Sequence, residues 1–255
     1  MTDSLSAATC AIYVILAFPV LYLLFKHGRN GFLGWLFLFV FCGLRIISGG
    51  LGVKSSDSAA ASIISNIGLS PLLLTTAGIL HEARAYRIFG IDQKFEWAQI
   101  LFFHILVGAG VALTAAGSAK LQHHDQPIDK AEKIIKVGIV ILAVCWGVLV
   151  GWTGLSFRAP RGDGPVVRAG TTMLGSIAFC LVLIGVRVFY SLVAICTQAA
   201  YLNPRTGTLV IRVVLGFLPE LLATLVYICV GIQTRGVAKL VRHGVAGYEP
   251  SAPYV

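Results

Sequence analysis

The sequence predicts an all-α bundle of seven helices that spans a membrane. Three observations lead there. Hydrophobic residues make up 57% of the 255 and charged residues only 12%, about half the charge of a soluble domain. The apolar residues gather into seven runs, each near the roughly 20 residues a helix needs to cross a hydrocarbon core. Most charges fall in the short stretches between runs. A chain so apolar could not cover itself with polar surface in water, so the lipid bilayer is its expected partner.

The runs lie at 8–25, 32–53, 60–80, 97–117, 135–157, 171–197 and 208–232. The first is preceded by Asp3 instead of a basic stretch, so it reads as an uncleaved helix and not a signal peptide. The second carries Trp35 near its start, which with Trp97 and Trp152 supplies expected interfacial anchors. The third ends at His81-Glu82, read as a solvated helix end. The fourth contains His104, a lone histidine expected to pack and hydrogen-bond. Residues 1–235 form one membrane domain, and 236–255 a polar, Pro-containing tail expected to be disordered.

A net charge of +9 could suggest nucleic acid, but the cations sit in loops and no basic reading element is present, so no nucleic-acid partner is expected. Instead the cations orient the chain. Eleven, from Lys26 to Arg242, fall on one side and six on the other. The richer side is expected to be cytosolic, with the N-terminus outside and the tail inside, in the plasma membrane or the endoplasmic reticulum. The six cysteines contain no CxxC pair, and His123-His124-Asp125 is a charged loop. Neither metal nor cofactor is expected.

The chain repeats itself. Gly43-Leu44-Arg45-Ile46 in the second run answers Gly185-Val186-Arg187-Val188 in the sixth. Gly68-Leu69-Ser70-Pro71 and Thr76 in the third align without a gap on Gly216-Phe217-Leu218-Pro219 and Thr224 in the seventh. Helices 1–3 (about 8–90) thus match helices 5–7 (135–235), with 97–117 as a linker. An odd linker gives a parallel repeat.

This three-plus-one-plus-three plan resembles the group of sugar-exporting and PQ-loop carriers, microbial rhodopsins and lipid-translocating exporters. Helix 7 lacks the lysine of the rhodopsin branch, and helices 1 and 5 lack a Pro-Gln pair. In Leu44-Arg45-Ile46 and Gly68-Leu69-Ser70-Pro71-Leu72-Leu73 the chain is similar to an uncharacterised family of seven-helix membrane proteins of filamentous fungi. That resemblance implies no activity.

Four ionisable residues lie within the runs: Arg45, Arg187, Arg212 and Glu220. A charge at the bilayer centre costs about 2.5–3.5 kcal/mol or more, so these should face the bundle. Helix direction puts Arg45, Arg187 and Arg212, with Ser65 and Asn66, in the outer half and Glu220 near the middle. The expectation is a polar pocket opening outward, with three cations to one carboxylate, suited to an amphiphile with an acidic head. The bland alternatives are structural pairing of Glu220 with one arginine and snorkelling of Arg212. Pro71 and Pro219 read as matched hinges or as static kinks.

Three functions compete. A carrier or translocator of a lipophilic anionic small molecule fits the repeat and pocket depth. A membrane-embedded cyclase or isomerase of secondary metabolism, similar to fungal terpene cyclases, would use Glu220 as its acid. Those enzymes resemble two-acid catalysts, and the runs here hold one acid. A seven-helix receptor fits the orientation, but its loops are short. Oligomeric state is not legible.

Overall fold

Long apolar runs leave the backbone no partner but itself, and every regular element among the described residues is helical. The computed structural model describes residues 4–54, 64, 68–88, 93–123, 128–160, 162–202, 207–237 and 240. Its helices are α1 (Ser4–Lys26), α2 (Gly28–Lys54), α3 (Leu69–Arg87), α4 (Gln93–His123), α5 (Ile128–Arg158), α6 (Pro165–Thr197) and α7 (Leu209–Thr234). A short 3-10 turn at Ala200–Leu202 precedes α7.

Six of the seven are long and apolar enough to cross a membrane. The outward faces agree: Phe18, Phe25, Phe102 and Val182 are exposed by 71, 76, 67 and 66%, more apolar surface than a water-soluble monomer presents. The arrangement is compatible with an integral membrane protein in a bilayer.

α3 is the exception, and its position explains why. It carries His81, Glu82, Arg84 and Arg87, yet 15 of its 19 residues are buried. Consecutive helices are neighbours, α7 returns to α1, and α3 crosses the interior to pack on α6. A helix surrounded by helices needs no apolar coat, because its polar groups find partners inside. The run at 60–80 therefore ended too early. The helix continues to Arg87 through residues that hydropathy scores as loop; residues 60–63 lie outside the described structure.

Other helices also outrun their apolar cores. α5 begins at Ile128, seven residues before the run at 135–157, with Lys136 and Glu132 paired at 3.6 Å one turn apart on its polar start. The link between α1 and α2 is tighter than the sequence suggests: Gly28 takes the left-handed φ of 67° that ends one helix and lets the next begin. Further on, a Cβ at Gly34 would stand 2.8 Å from Ile79 N. The missing side chain lets α2 and α3 touch backbone to backbone. Of the tail at 236–255, only 236, 237 and 240 are among the described residues.

α7 is not uniform. Residues Arg212–Phe217 form a π-helical segment, in which Leu218 N–H donates to Val213 O, five residues back. Pro219 follows at once and has no N–H with which to continue an α-helical ladder. The widened turn accommodates the loss.

Candidate functional site

Three helices deliver the central charges to one point. Arg45 comes from the second half of α2, Arg187 from the second half of α6, and Glu220 from just below the π segment of α7. All three are buried, with 7, 5 and 3% exposure. Glu220 Oε1 accepts from Arg187 Nε at 2.8 Å and from Arg45 Nη2. One carboxylate oxygen is thus shared by two guanidiniums.

Each arginine is also shaped by its own turn. Arg45 lies over the Phe41 ring at 5.3 Å, four residues earlier. Arg187 lies over the Tyr190 ring at 5.6 Å and donates through Nη1 to Ser191 Oγ. Room for Arg45 comes from Gly68, where a Cβ would sit 2.8 Å from Arg45 Nη2. Thus Gly68, which the expected repeat would align on Gly216, leaves space for the arginine, while a Cβ at Gly216 would approach only Tyr190, at 3.9 Å.

Two further groups point at the cluster. The Tyr13 hydroxyl is fully buried within electrostatic reach of Glu220 and Arg45. The Tyr13 hydroxyl interacts with Thr224, whereas Arg45 Nε has no hydrogen-bond partner among the described residues. Thr224, beside Tyr13, spends its proton on Glu220 O at 2.8 Å. Buried donors are satisfied in the great majority of cases, so an Arg45 Nε–H without a partner among the described residues is unusual.

The remaining expected residues are placed differently. Arg212 opens the π segment about 12 Å of helix rise before Glu220, half-buried, and reaches Tyr190 electrostatically. Ser65 and Asn66 lie outside the described residues. Pro71 is the third residue of α3 as described, whereas Pro219 follows the π segment, so the two prolines occupy different local settings. His104 packs on Phe37 at 5.2 Å, and its Nδ1 bonds Ile100 O at 2.7 Å.

A second polar cluster, at the opposite end of the bundle, escaped the sequence reading. Glu82 is completely buried, not solvated. His27 Nδ1 lies 2.7 Å from its Oε1, Tyr86 Oη donates to the same oxygen at 3.0 Å, and Trp35 Nε1 donates to Oε2 at 3.1 Å. His27 Nε2 reaches Gly231 O on α7 at 2.9 Å. Trp35, expected as an interfacial anchor, is instead 1% exposed and serves as an interior donor. Trp97 is 53% exposed. The missed signal was His27 in the link and Glu82 two turns past the Thr75-Thr76 pair: both flank apolar runs, where polar residues usually meet solvent.

The same end carries a third network. Arg84 Nε donates to Glu96 at 3.0 Å and Arg84 Nη1 to Ser156 Oγ at 2.7 Å; His81 Nδ1 stands 3.4 Å from Glu96. Arg87 donates to Ser156 O and, at 3.2 Å, to Phe157 O. These are orphan carbonyls at the C-terminus of α5, where cations are favoured.

Between the two ends, Thr76 Oγ1 donates to Leu72 O at 2.8 Å, so the 2.8 Å contact with Tyr227 must be donated by the tyrosine. Tyr227→Phe should therefore cost about 1 kcal/mol, the net worth of one hydrogen bond, read as a small fall in melting temperature with the helical content unchanged. No group of three metal-ligating side chains occurs among the described residues.

Apolar faces outward with ion pairs within define a multi-pass, membrane-type helical protein. The chain belongs to the family described as a domain of unknown function, DUF7702, which matches residues 1–237. No curated protein and no solved structure matches it.

Proposed function

We propose that the protein binds a lipophilic molecule with an acidic head group and carries it across, or between leaflets of, a membrane. One observation carries this reading. The buried cluster of Arg45, Arg187 and Glu220 holds two cations to one carboxylate, and Arg45 Nε has no hydrogen-bond partner among the described residues. A carboxylate or phosphate entering there would receive the Arg45 Nε–H and cancel the surplus charge, and arginine's planar fork suits either anion. Purely structural pairing needs one arginine per carboxylate and leaves the second unexplained.

The repeat supports a carrier over a static binder. α2 lies against α1 and α3 as α6 lies against α5 and α7. Thr76 and Thr224, aligned in the repeat, make the same bond to the carbonyl four residues back. The arginines are then pseudosymmetric partners at the interface of two halves, where carriers place substrates. Pro219 with its π segment, and Pro71, are the proposed hinges. The cyclase alternative needs an acid poised toward substrate, whereas Glu220 Oε1 is occupied by two guanidiniums.

Metabolite profiles of cells and medium, with the gene intact and deleted, test the reading. A carrier predicts a compound lost from the medium and accumulated unchanged inside. A product lost everywhere, with an isomeric precursor in its place, would overturn the carrier in favour of the enzyme.

A further inference from the structure

The outer surface beside the arginines holds a groove of ≈ 580 Å³ between α5, α6 and the π segment of α7. That size falls in the range of about 300–1,000 Å³ typical of small-molecule sites. Its wall is apolar throughout: Trp146 from α5, Val182, Val186, Phe189 and Val193 along α6, and Leu215 from the π segment. Those four α6 residues form its outward stripe, and Arg187 lies on the inward stripe of the same helix.

The groove is built and not incidental. A Cβ at Gly185 would lie 2.8 Å from the Trp146 ring, so the glycine lets that indole lie against α6. Trp146 Nε1 donates to Leu181 O at 2.9 Å, and the ring meets Phe189 edge-on at 5.2 Å. Gly185→Val should therefore displace the indole and lower the melting temperature by several degrees, a loss that Trp146→Leu in the same chain should relieve.

Tyr190 separates groove from cluster. Its ring lines the groove, carries the Arg187 guanidinium at 5.6 Å, and faces the π segment at Gly216. Its hydroxyl donates to Leu202 O at 3.0 Å, a single bond to the 3-10 turn. Both Arg187 and Arg212 lie within electrostatic reach of that hydroxyl. The groove thus runs from an apolar outer wall to a side chain flanked by two cations.

We propose that this groove receives the single apolar chain of an amphiphile whose anionic head passes Tyr190 to Arg187, making it a lateral portal from the lipid. The inference rests on the proposed anion-binding role of the cluster and adds the shape of its ligand. The occupant is fixed by charge complementarity. An apolar channel ending at Arg187, one of two guanidiniums that share a single carboxylate, fits one chain with a carboxylate or phosphate head. Tyr190 acts as the door, and the widened turn beside it is the side able to yield.

The test uses the full chain in nanodiscs of neutral phosphatidylcholine, with labelled octanoate, palmitate and lysophosphatidic acid as probes. The groove predicts that palmitate and lysophosphatidic acid bind at least tenfold tighter than octanoate. Val186→Trp, which fills the groove from the lipid side, should cost the two long-chain probes tenfold or more and leave octanoate unchanged. Val182→Trp, at a position 66% exposed, should act alike, and an unchanged melting temperature certifies both folds. A preference between palmitate and lysophosphatidic acid distinguishes a carboxylate from a phosphate head. Unchanged long-chain binding in both tryptophan variants, with binding still lost in Arg187→Gln, would overturn the portal alone. Binding of every probe unchanged in Arg187→Gln would overturn the cluster reading and the portal with it.

Discussion

Replacing Glu82 with leucine should lower the melting temperature by roughly 10 °C, the shift expected when breaking a buried pair costs about 3–5 kcal/mol. The carboxylate is completely buried and serves three donors from three places in the chain: His27 in the α1–α2 link, Trp35 on α2 and Tyr86 one turn further along α3. Removing it strands all of them. His27 then also loses the fixed orientation that brings Nε2 to Gly231 O, so the end of α7 is released from the link. Glu82→Gln should fall between, because an amide retains shape and one acceptor oxygen. Replacing both partners, His27→Leu with Glu82→Leu, should recover much of the loss, since an apolar pair leaves no stranded charge. A melting curve of the purified protein in a nonionic detergent reads all three. A double variant as unstable as Glu82→Leu alone would show that the cluster's energy lies in Trp35 and Tyr86 and not in the His27–Glu82 contact.

The arginine cluster predicts effects of opposite sign on stability and on binding. Glu220→Gln removes the only carboxylate placed between Arg45 and Arg187 among the described residues. The ligand-free protein should lose about 3–5 kcal/mol, as for other buried pairs broken on one side. An anionic amphiphile should stabilise this variant more than the wild type, because it supplies the missing counter-charge. A ligand at a hundred times its Kd contributes about 2.7 kcal/mol, enough to restore much of the loss. Arg187→Gln should do the reverse: the remaining Arg45–Glu220 pair is balanced, so the empty protein is nearly intact and the anion is no longer favoured. Arg187→Lys should resemble the glutamine variant, because an ammonium cannot reproduce the Nε contact to Glu220 together with the Nη1 contact to Ser191.

What the sequence disclosed followed from two simple signals. Apolar run length located six of the seven helices among the described residues and touched the seventh, α3, and the cost of charge in lipid singled out Arg45, Arg187 and Glu220, which the fold brings to one point. Arg212 and Tyr190 show the limit. A position along a helix gives depth, but which neighbour stands at that depth depends on packing: Arg212 reaches Tyr190, a neighbour that its place in the sequence did not name. Hydropathy failed for α3 because it measures fitness for lipid, and α3 faces helices on nearly all sides. The same blindness hid Glu82 and His27. A polar residue at the end of an apolar run looks solvated until the partner helix ends are known. The π segment was indicated only by Pro219, since a proline predicts a disturbed ladder but not whether the helix kinks or widens.

One comparison tests the surplus positive charge between α2, α6 and α7. Dodecyl phosphate and dodecylphosphocholine share a chain and differ in net head-group charge. Each is added to the protein in maltoside micelles while its melting temperature is followed. The account predicts that the phosphate raises it by several degrees and the phosphocholine does not. It also predicts that the difference disappears in Arg187→Gln and grows in Glu220→Gln. Equal shifts for the two amphiphiles, or a phosphate effect untouched by Arg187→Gln, would contradict it.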